Sequence, residues 1–296
     1  MAHAISTHKR LQASKQDHWL VRLGLIAFTV VTLGLLVIGP LVNVFYHAFE
    51  LGAAVWWHAL SDPLTLSALR LTILVTVISV GCNLVFGLAA AWAIARFPFR
   101  GKALLATMID LPFSVSPVIA GLIFVLLFGA SGYFAPQLQS MNLKIIFAVP
   151  GIVLATTFVT FPFIARELIP VLEALGPDEE EAARTLGASA GQMFWYVTIP
   201  NIKWGLLYGV LLCNARAIGE FGAVSVVSGK LAGQTDTLPI TIEKFYQGLS
   251  AASTASAFAV ATLLTGLALL TLLLKSYLET KTHQTTRPAP SGGDSA

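Results

Sequence analysis

Charge is the first thing that this sequence lacks. Of its 296 residues only 11% are charged, whereas a soluble globular protein carries about 25%. No charged residue occurs in three long stretches, Leu71–Ala95, Leu111–Leu143 and Phe245–Leu274. Each stretch exceeds the ~20 residues with which a helix crosses a bilayer. The sequence therefore excludes an ordinary soluble enzyme or a disordered chain and predicts an all-α membrane protein. The net charge of +3 is too small and too localised to suggest a nucleic-acid partner.

Reactive and ligating groups are also scarce. Cys82 and Cys213 lie inside apolar runs, which is typical of buried reduced thiols, and no CxxC pair or His/Cys cluster predicts a metal site. A G-x4-G-K-[ST] phosphate loop is missing, so we expect no ATP and no other cofactor to be bound by this chain. Within the apolar stretches no nucleophile with a base and no paired carboxylates are evident. The sequence thus predicts no catalytic residue and disfavours an intramembrane enzyme.

Six apolar stretches are long enough to span a bilayer as helices, because backbone groups in lipid must pair internally. They are Leu23–Tyr46, Leu71–Ala95, Ala103–Phe128, Ile145–Ile164, Trp204–Ser228 and Ser253–Leu274. The first is longer than the 7–15 apolar residues of a signal peptide, so we expect it to be retained. The sequence predicts an N-terminal tail (1–22), a transmembrane domain (23–278) and a disordered C-terminal tail (279–296), the last from its Pro, Gly, Ser and Thr content.

Lys and Arg residues predict the orientation of these spans. Thirteen of them fall in the two tails and in the second and fourth loops, whereas only four fall on the opposite side. Since loops rich in Lys and Arg stay in the cytoplasm, both termini are predicted to be cytoplasmic. Arg216 remains, and it lies inside a predicted span.

The loop 165–203 is too long for a simple connection and is predicted to be cytoplasmic. It reads as a short helix, Ile169–Leu175, then a helix that starts near Pro177 with four acidic residues and ends near Gly187. A second amphipathic piece, Ser189–Ile199, is expected to stop at Pro200. Taken alone, the loop is either a solvated connector or an amphipathic helix pair that lies against the membrane.

The loop contains a motif with a distinctive spacing. Glu181, Ala182 and Ala183 are followed after three residues by Gly187, and after nine more by Val197-x-Ile199-Pro200. This spacing resembles the EAA loop of ABC importer permeases. The resemblance implies a type I importer permease fold in which this loop forms a coupling helix. It implies docking to a cytoplasmic ATPase, with ATP and Mg held by that partner. The acidic run Glu179–Glu181 is expected to pair with basic groups of the ATPase.

Two further motifs resemble the oxyanion branch of this family. D-L-P-F-S-V-S-P begins at Asp110, and R-A-I-G-E-F-G-A begins at Arg216 and continues as V-S-V-V-S-G. Together they are most similar to the CysW-type permeases of sulfate/thiosulfate importers, with molybdate or tungstate as the alternative substrate. The resemblance implies a homologous CysT-type permease, two CysA-type ATPase subunits and a periplasmic sulfate- or thiosulfate-binding protein as partners in the bacterial inner membrane. The outer loop Lys230–Gly248 is a candidate surface for that binding protein, or else a plain surface or re-entrant loop.

Arg216 and Glu220 stand one helical turn apart in an apolar span, where charges mark a functional site by default. One interpretation is a structural ion pair. The other places Arg216 beside the anion pathway, because its guanidinium suits a tetrahedral oxyanion, with Glu220 moderating its affinity. The two interpretations are compatible.

Asp110 is predicted to lie about 12 Å into the third span at the helical rise. Pro112 and Pro117 should interrupt this span and free backbone groups, so Asp110 either caps exposed amides or pairs with a basic group. Ser114 and Ser116 are then candidates to face the pathway.

A stand-alone channel or secondary transporter would not need the EAA loop, and no internal repeat supports one.

Overall fold

The computed structural model describes residues 19–285. Within that range the chain is a series of helices joined by short connections. The helices are α1 (Trp19–Phe49), α2 (Ala53–Ser61), α3 (Pro63–Arg96), α4 (Lys102–Ser114), α5 (Pro117–Phe128), α6 (Ala135–Ser140), α7 (Val149–Leu175), α8 (Asp178–Thr185), α9 (Ala190–Met193), a π-helical turn (Phe194–Thr198), α10 (Ile199–Ile218), α11 (Gly222–Val227), α12 (Leu238–Tyr246) and α13 (Ala251–Thr285).

Four of these helices, α1, α3, α7 and α13, are long and apolar enough to cross a membrane, and α4 with α5 makes a fifth if the bent pair is one span. The all-helical membrane fold is therefore confirmed. The count of six spans is compatible with the structure but not exact, because two of the predicted spans are broken.

The third predicted span, Ala103–Phe128, bends by 108° between α4 and α5. The bend lies at Val115 and Ser116, both of which have extended backbone. Since a residue before proline is kept out of the helical region, Pro117 explains why Ser116 cannot continue α4. The other proline, Pro112, stays inside α4.

The fifth predicted span, Trp204–Ser228, is interrupted between Ile218 and Gly222. Its first part, α10, begins earlier than predicted and contains Lys203 and Arg216, and its second part, α11, is a short helix after the break.

The core forms where α3, α7 and α10 pack together. One apolar cluster joins the first half of α3 to α7 and α11 through Leu71, Val75, Ile152 and Val224. A second joins the latter half of α3 to α7 and α10. Gly87 of α3 lies so close to α7 that a Cβ there would stand 3.1 Å from Ile164 Cβ, which tightens this contact.

The predicted loop 165–203 is only partly a loop. Helix α7 runs on to Leu175 through Pro170, so Ile169–Leu175 is not a separate helix. The chain also does not stop at Pro200. Ile199 N donates to Phe194 O, five residues back, and this π-helical register leads into α10 with Pro200 in its first turn, where its missing N–H breaks no hydrogen bond.

The terminal helices extend beyond the predicted domain boundaries. Helix α1 begins at Trp19 and α13 ends at Thr285, so short parts of both predicted tails are helical. The remaining tail residues, 1–18 and 286–296, lie outside the described range. Most side chains of α1 are exposed apolar groups, as suits a helix whose surroundings are lipid or another protein.

Candidate functional site

The first candidate site is the surface around α8. Its first turn consists of four acidic residues, Asp178, Glu179, Glu180 and Glu181. Acidic side chains are stabilised there by the free N–H groups and the positive end of the helix dipole. Glu181 and Ala182 are exposed, and Ala183 is half-buried. Leu186 is 88% exposed just before Gly187. An exposed carboxylate and a small residue therefore lie on one short helix, and an exposed apolar side chain follows directly at its C-terminal end, as a docking surface requires.

Gly187 ends this helix in the way that the sequence predicted. Its φ of 89° lies in the left-handed region that glycine adopts without strain. Gly187 N donates to Arg184 O, and Ala188 N donates to Ala183 O, which is the Schellman arrangement at a helix end. Ser189 then starts α9 with a capping box, in which Ser189 Oγ accepts from Gln192 N and Gln192 Oε1 accepts from Ser189 N.

Two of the acidic residues expected to face a partner are instead paired within the chain. Arg96 Nε donates to Glu180 Oε2 at 3.0 Å, and both side chains are almost completely buried. Glu179 accepts a hydrogen bond from Asn201, next to Pro200. The expectation that the whole run Glu179–Glu181 pairs outward is therefore wrong for Glu180, which points inward to close the gap between α8 and the membrane helices.

The second candidate site lies where the two broken spans meet. The short helices α5 and α11 pack directly against each other, and a Cβ on Gly121 would come within 2.7 Å of Ala223 O. A Cβ on Gly222 would come within 2.9 Å of Pro117 Cβ. The glycines on each side thus permit a backbone contact that brings both breaks into one place.

Arg216 and Glu220 form the predicted pair beside this contact. Arg216 Nη1 lies 2.5 Å from Glu220 Oε2, while the side chains are 35% and 1% exposed. That carboxylate oxygen makes no hydrogen bond of good geometry, so the attraction is mainly electrostatic. Glu220 Oε1 accepts from Ala223 N at 2.9 Å and thereby caps the start of α11. Glu220 therefore stabilises the break between α10 and α11, whereas about a third of the Arg216 side chain remains exposed.

Asp110 pairs with a basic group, one of the two alternatives left open by the sequence. Arg166 Nε of α7 donates to Asp110 Oδ1 of α4 at 2.5 Å. The pair lines a cavity of about 670 Å³ between these helices. Asp110 is therefore not brought to Arg216. Ser114 and Ser116 lie at the bend itself, and both are exposed.

Residues 83–284 match the sequence profile of the family described as "Binding-protein-dependent transport system inner membrane component". The chain belongs to this family. The match covers the last 14 residues of α3 and, apart from the final residue of α13, all of α4 to α13, and so includes both candidate sites.

The relatives of this inner-membrane component narrow the resemblance. The "Sulfate transport system permease protein CysW" of Synechocystis sp. is 54% identical over 258 residues, which are 87% of this chain and 92% of that protein. The "Sulfate transport system permease protein CysT" of Escherichia coli is 36% identical over 208 residues, 70% of this chain and 75% of that protein. The predicted resemblance to CysW-type permeases is thus confirmed.

Solved structures confirm the fold of this inner-membrane component. A bacterial ABC transporter that imports the acidic polysaccharide alginate superposes with a TM-score of 0.73, covering 94% of this chain and 100% of the matched chain. The sequence identity is 17%, so the likeness bears on the fold alone.

Sequence reasoning missed the groups of this inner-membrane component that hold distant helices together. Arg96 and Arg166 were counted only as cytoplasmic charges, yet their partners lie 84 and 56 residues away. A polar seam between α3 and α7 was also missed. Asn83 Nδ2 there donates to Thr160 Oγ1 at 2.8 Å in a fully buried contact. Polar residues at every third or fourth position of an apolar helix, such as Thr72, Thr76, Ser79 and Asn83, were the available signal.

Proposed function

We propose that this chain is the CysW-type permease subunit of an ATP-driven sulfate/thiosulfate importer. The observation that carries the proposal is the 54% identity to a CysW permease across almost the whole of both chains. A CysT-type permease would supply the other half of the pathway, since CysT of Escherichia coli is itself similar to this chain. The relatives named here are sulfate permeases, which favours sulfate over the alternative of molybdate or tungstate.

In the proposed assembly one of the two CysA-type ATPase subunits docks on the α8 surface, and both subunits bind ATP and Mg. This chain contributes no catalytic residue and no cofactor site. Glu181 supplies a free carboxylate for a basic group of the ATPase, and Ala182 permits close approach. The exposed Leu186 supplies an apolar contact. Gly187 ends α8 on its C-terminal side. Asn201, next to Pro200, holds the first turn of α8 through Glu179. Both termini and α8 lie in the cytoplasm, and a periplasmic protein delivers the anion on the opposite side.

The anion pathway is proposed to pass the meeting point of the two broken spans. Arg216 offers positive charge there, and its pairing with the buried Glu220 limits how strongly a dianion is held. Ser114 and Ser116 offer neutral hydrogen-bond donors at the bend of α4 and α5. Asp110 contributes indirectly, by tying α4 to α7 through Arg166. Neutral donors combined with one moderated cation suit a site that must bind sulfate and then release it.

The direct test is uptake of radiolabelled sulfate into proteoliposomes that contain the assembled complex of this chain, the CysT-type permease and the CysA-type ATPase. Uptake should require internal ATP and the sulfate-loaded binding protein. Molybdate in excess should compete poorly. Uptake that continues without the ATPase subunit, or a complex that takes up molybdate in preference, would contradict the proposal.

The docking surface is tested by Glu181→Lys. The substitution reverses the charge of an exposed side chain without disturbing the core, so the permease should still insert and pair with its partner permease. Recovery of the ATPase with the purified complex should fall about tenfold or more, because the new lysine would face a basic group of the ATPase and like charges across an interface are strongly unfavourable. Glu173→Lys on α7 makes the same charge change outside α8 and is the matched control. Equal ATPase recovery with both variants would remove α8 as the docking surface.

A further inference from the structure

A single buried network joins α8 to three membrane helices. Arg96 is the last residue of α3, and its guanidinium donates from Nε to Glu180 Oε2 and from Nη1 to Leu172 O at 2.7 Å. Thr198 Oγ1 donates to the second carboxylate oxygen, Glu180 Oε1, at 2.9 Å. We call these four groups the Arg96 network. It links the ends of α3 and α7 to α8 and to the turn that leads into α10.

Each contact in the Arg96 network satisfies a group that would otherwise be unpaired. Leu172 O lies in the last turn of α7, where carbonyls lose their helical partners, and Gly176 N bonds to Glu173 O instead. Arg96 therefore caps the end of α7. The Glu180 side chain is only 10% exposed, and both of its carboxylate oxygens accept a hydrogen bond within the network. A fully satisfied buried network of charged groups has one well-defined geometry and resists displacement of any one member.

The network also leads toward the two breaks in the membrane. Thr198 stands 18 residues before Arg216, which is about 27 Å along α10 at the helical rise. On the other side, α7 carries Arg166, which holds Asp110 four residues before Ser114, the last residue of α4 ahead of the bend. Because the network holds α8 rigidly to α7 and α10, a displacement of α8 is physically connected to both broken spans.

We propose that Arg96 and Glu180 are positioning residues that transmit movement of α8 to α7 and α10, and hence to the pathway. The inference rests on the proposed function, since it assigns a cause of motion to the ATPase that docks on α8. Docking uses exposed side chains of α8 such as Glu181, whereas transmission uses the buried side chain of Glu180. The same short helix therefore separates the two roles by the direction in which its carboxylates point, outward at Glu181 and inward at Glu180.

The test measures docking and transmission separately in the reconstituted complex. Glu180→Gln keeps the shape of the side chain but removes its charge, and Thr198→Val removes the hydroxyl that donates to it. For both variants recovery of the ATPase should stay close to wild type, because Glu181 and Leu186 are untouched. Sulfate transported per ATP hydrolysed should fall about fivefold or more for Glu180→Gln and less for Thr198→Val, as expected when coupling free energy is lost. Arg96→Lys, which keeps the charge but offers no planar fork, should be intermediate.

Glu173→Gln is the matched control, because it neutralises an exposed carboxylate of α7 outside the network. It should keep the wild-type ratio of sulfate to ATP. If Glu180→Gln, Thr198→Val and Arg96→Lys all keep that ratio too, the inference is overturned. If uptake falls only in proportion to lost ATPase subunits, the network is structural and the inference is equally overturned. A wild-type complex that shows no ATP-dependent sulfate uptake would instead defeat the proposed function, so the two failures are distinguishable.

Discussion

Individual residues near the breaks carry more than one task. Glu220 caps α11 with one oxygen and attracts Arg216 with the other. The pairing of Glu220 with Arg216 was predicted from the sequence, because residues four apart in a helix lie one turn from each other and their side chains can meet. The cap was not predicted, because the helix was expected to continue to Ser228. In the same way, the sequence indicated that Asp110 needs a partner but could not name Arg166, since that choice depends on how α4 packs against α7.

The two roles of Arg216 are separable by substitution. Arg216→Ala leaves the buried carboxylate of Glu220 without its partner, and breaking a buried pair on one side typically costs about 3–5 kcal/mol, so both assembly and uptake should fall. The double change Arg216→Ala with Glu220→Gln leaves no orphan charge, and the amide oxygen can still cap α11. We expect assembly to recover while uptake per assembled complex stays low. Full recovery of uptake would mean that Arg216 is purely structural and would remove it from the pathway.

At the scale of elements, hydropathy predicted which segments enter the membrane but not where they break. Apolar residues predominate on both sides of Ser116 and of Gly219, so an average of hydropathy over a window does not detect either break. The local signals were Pro117 and the small residues that surround Glu220. What fixes the geometry is the contact of α5 with α11, which joins positions about a hundred residues apart and leaves no mark on local periodicity.

The contact of α5 with α11 depends on the absence of a side chain at Gly121. In Gly121→Ala the new Cβ would meet Ala223 O at 2.7 Å, so one helix must move or strain, and overpacking of this kind costs about 1–3 kcal/mol. The melting temperature of the purified complex and its sulfate uptake should both decrease. Gly81→Ala is the matched control, because it also lies within an apolar helix and nothing stands within 4 Å of its new Cβ. An unchanged melting temperature and uptake for Gly121→Ala would contradict the packing described here.

At the scale of the whole molecule, the arrangement separates charge from apolar surface along one direction. In the predicted topology, the acidic α8 and the Arg96 network lie on the side that carries thirteen of the eighteen Lys and Arg residues. The long apolar helices α1, α3, α7 and α13 extend away from it. This asymmetry predicts the side of the membrane on which the ATPase acts. Coupling as proposed requires that α8 and both termini face the cytoplasm.

Orientation is tested by labelling single cysteines in intact cells with a membrane-impermeant maleimide. Ser131→Cys lies in the exposed connection between α5 and α6 and should react from outside, whereas Arg100→Cys lies in the exposed connection between α3 and α4 and should react only after the membrane is opened. These expectations follow from the thirteen Lys and Arg residues on one side against four on the other. The unmodified chain is the control for its own thiols, of which Cys213 is fully buried and Cys82 partly so. Labelling of Arg100→Cys from outside, with Ser131→Cys protected, would place α8 on the side without ATP and refute both docking and transmission.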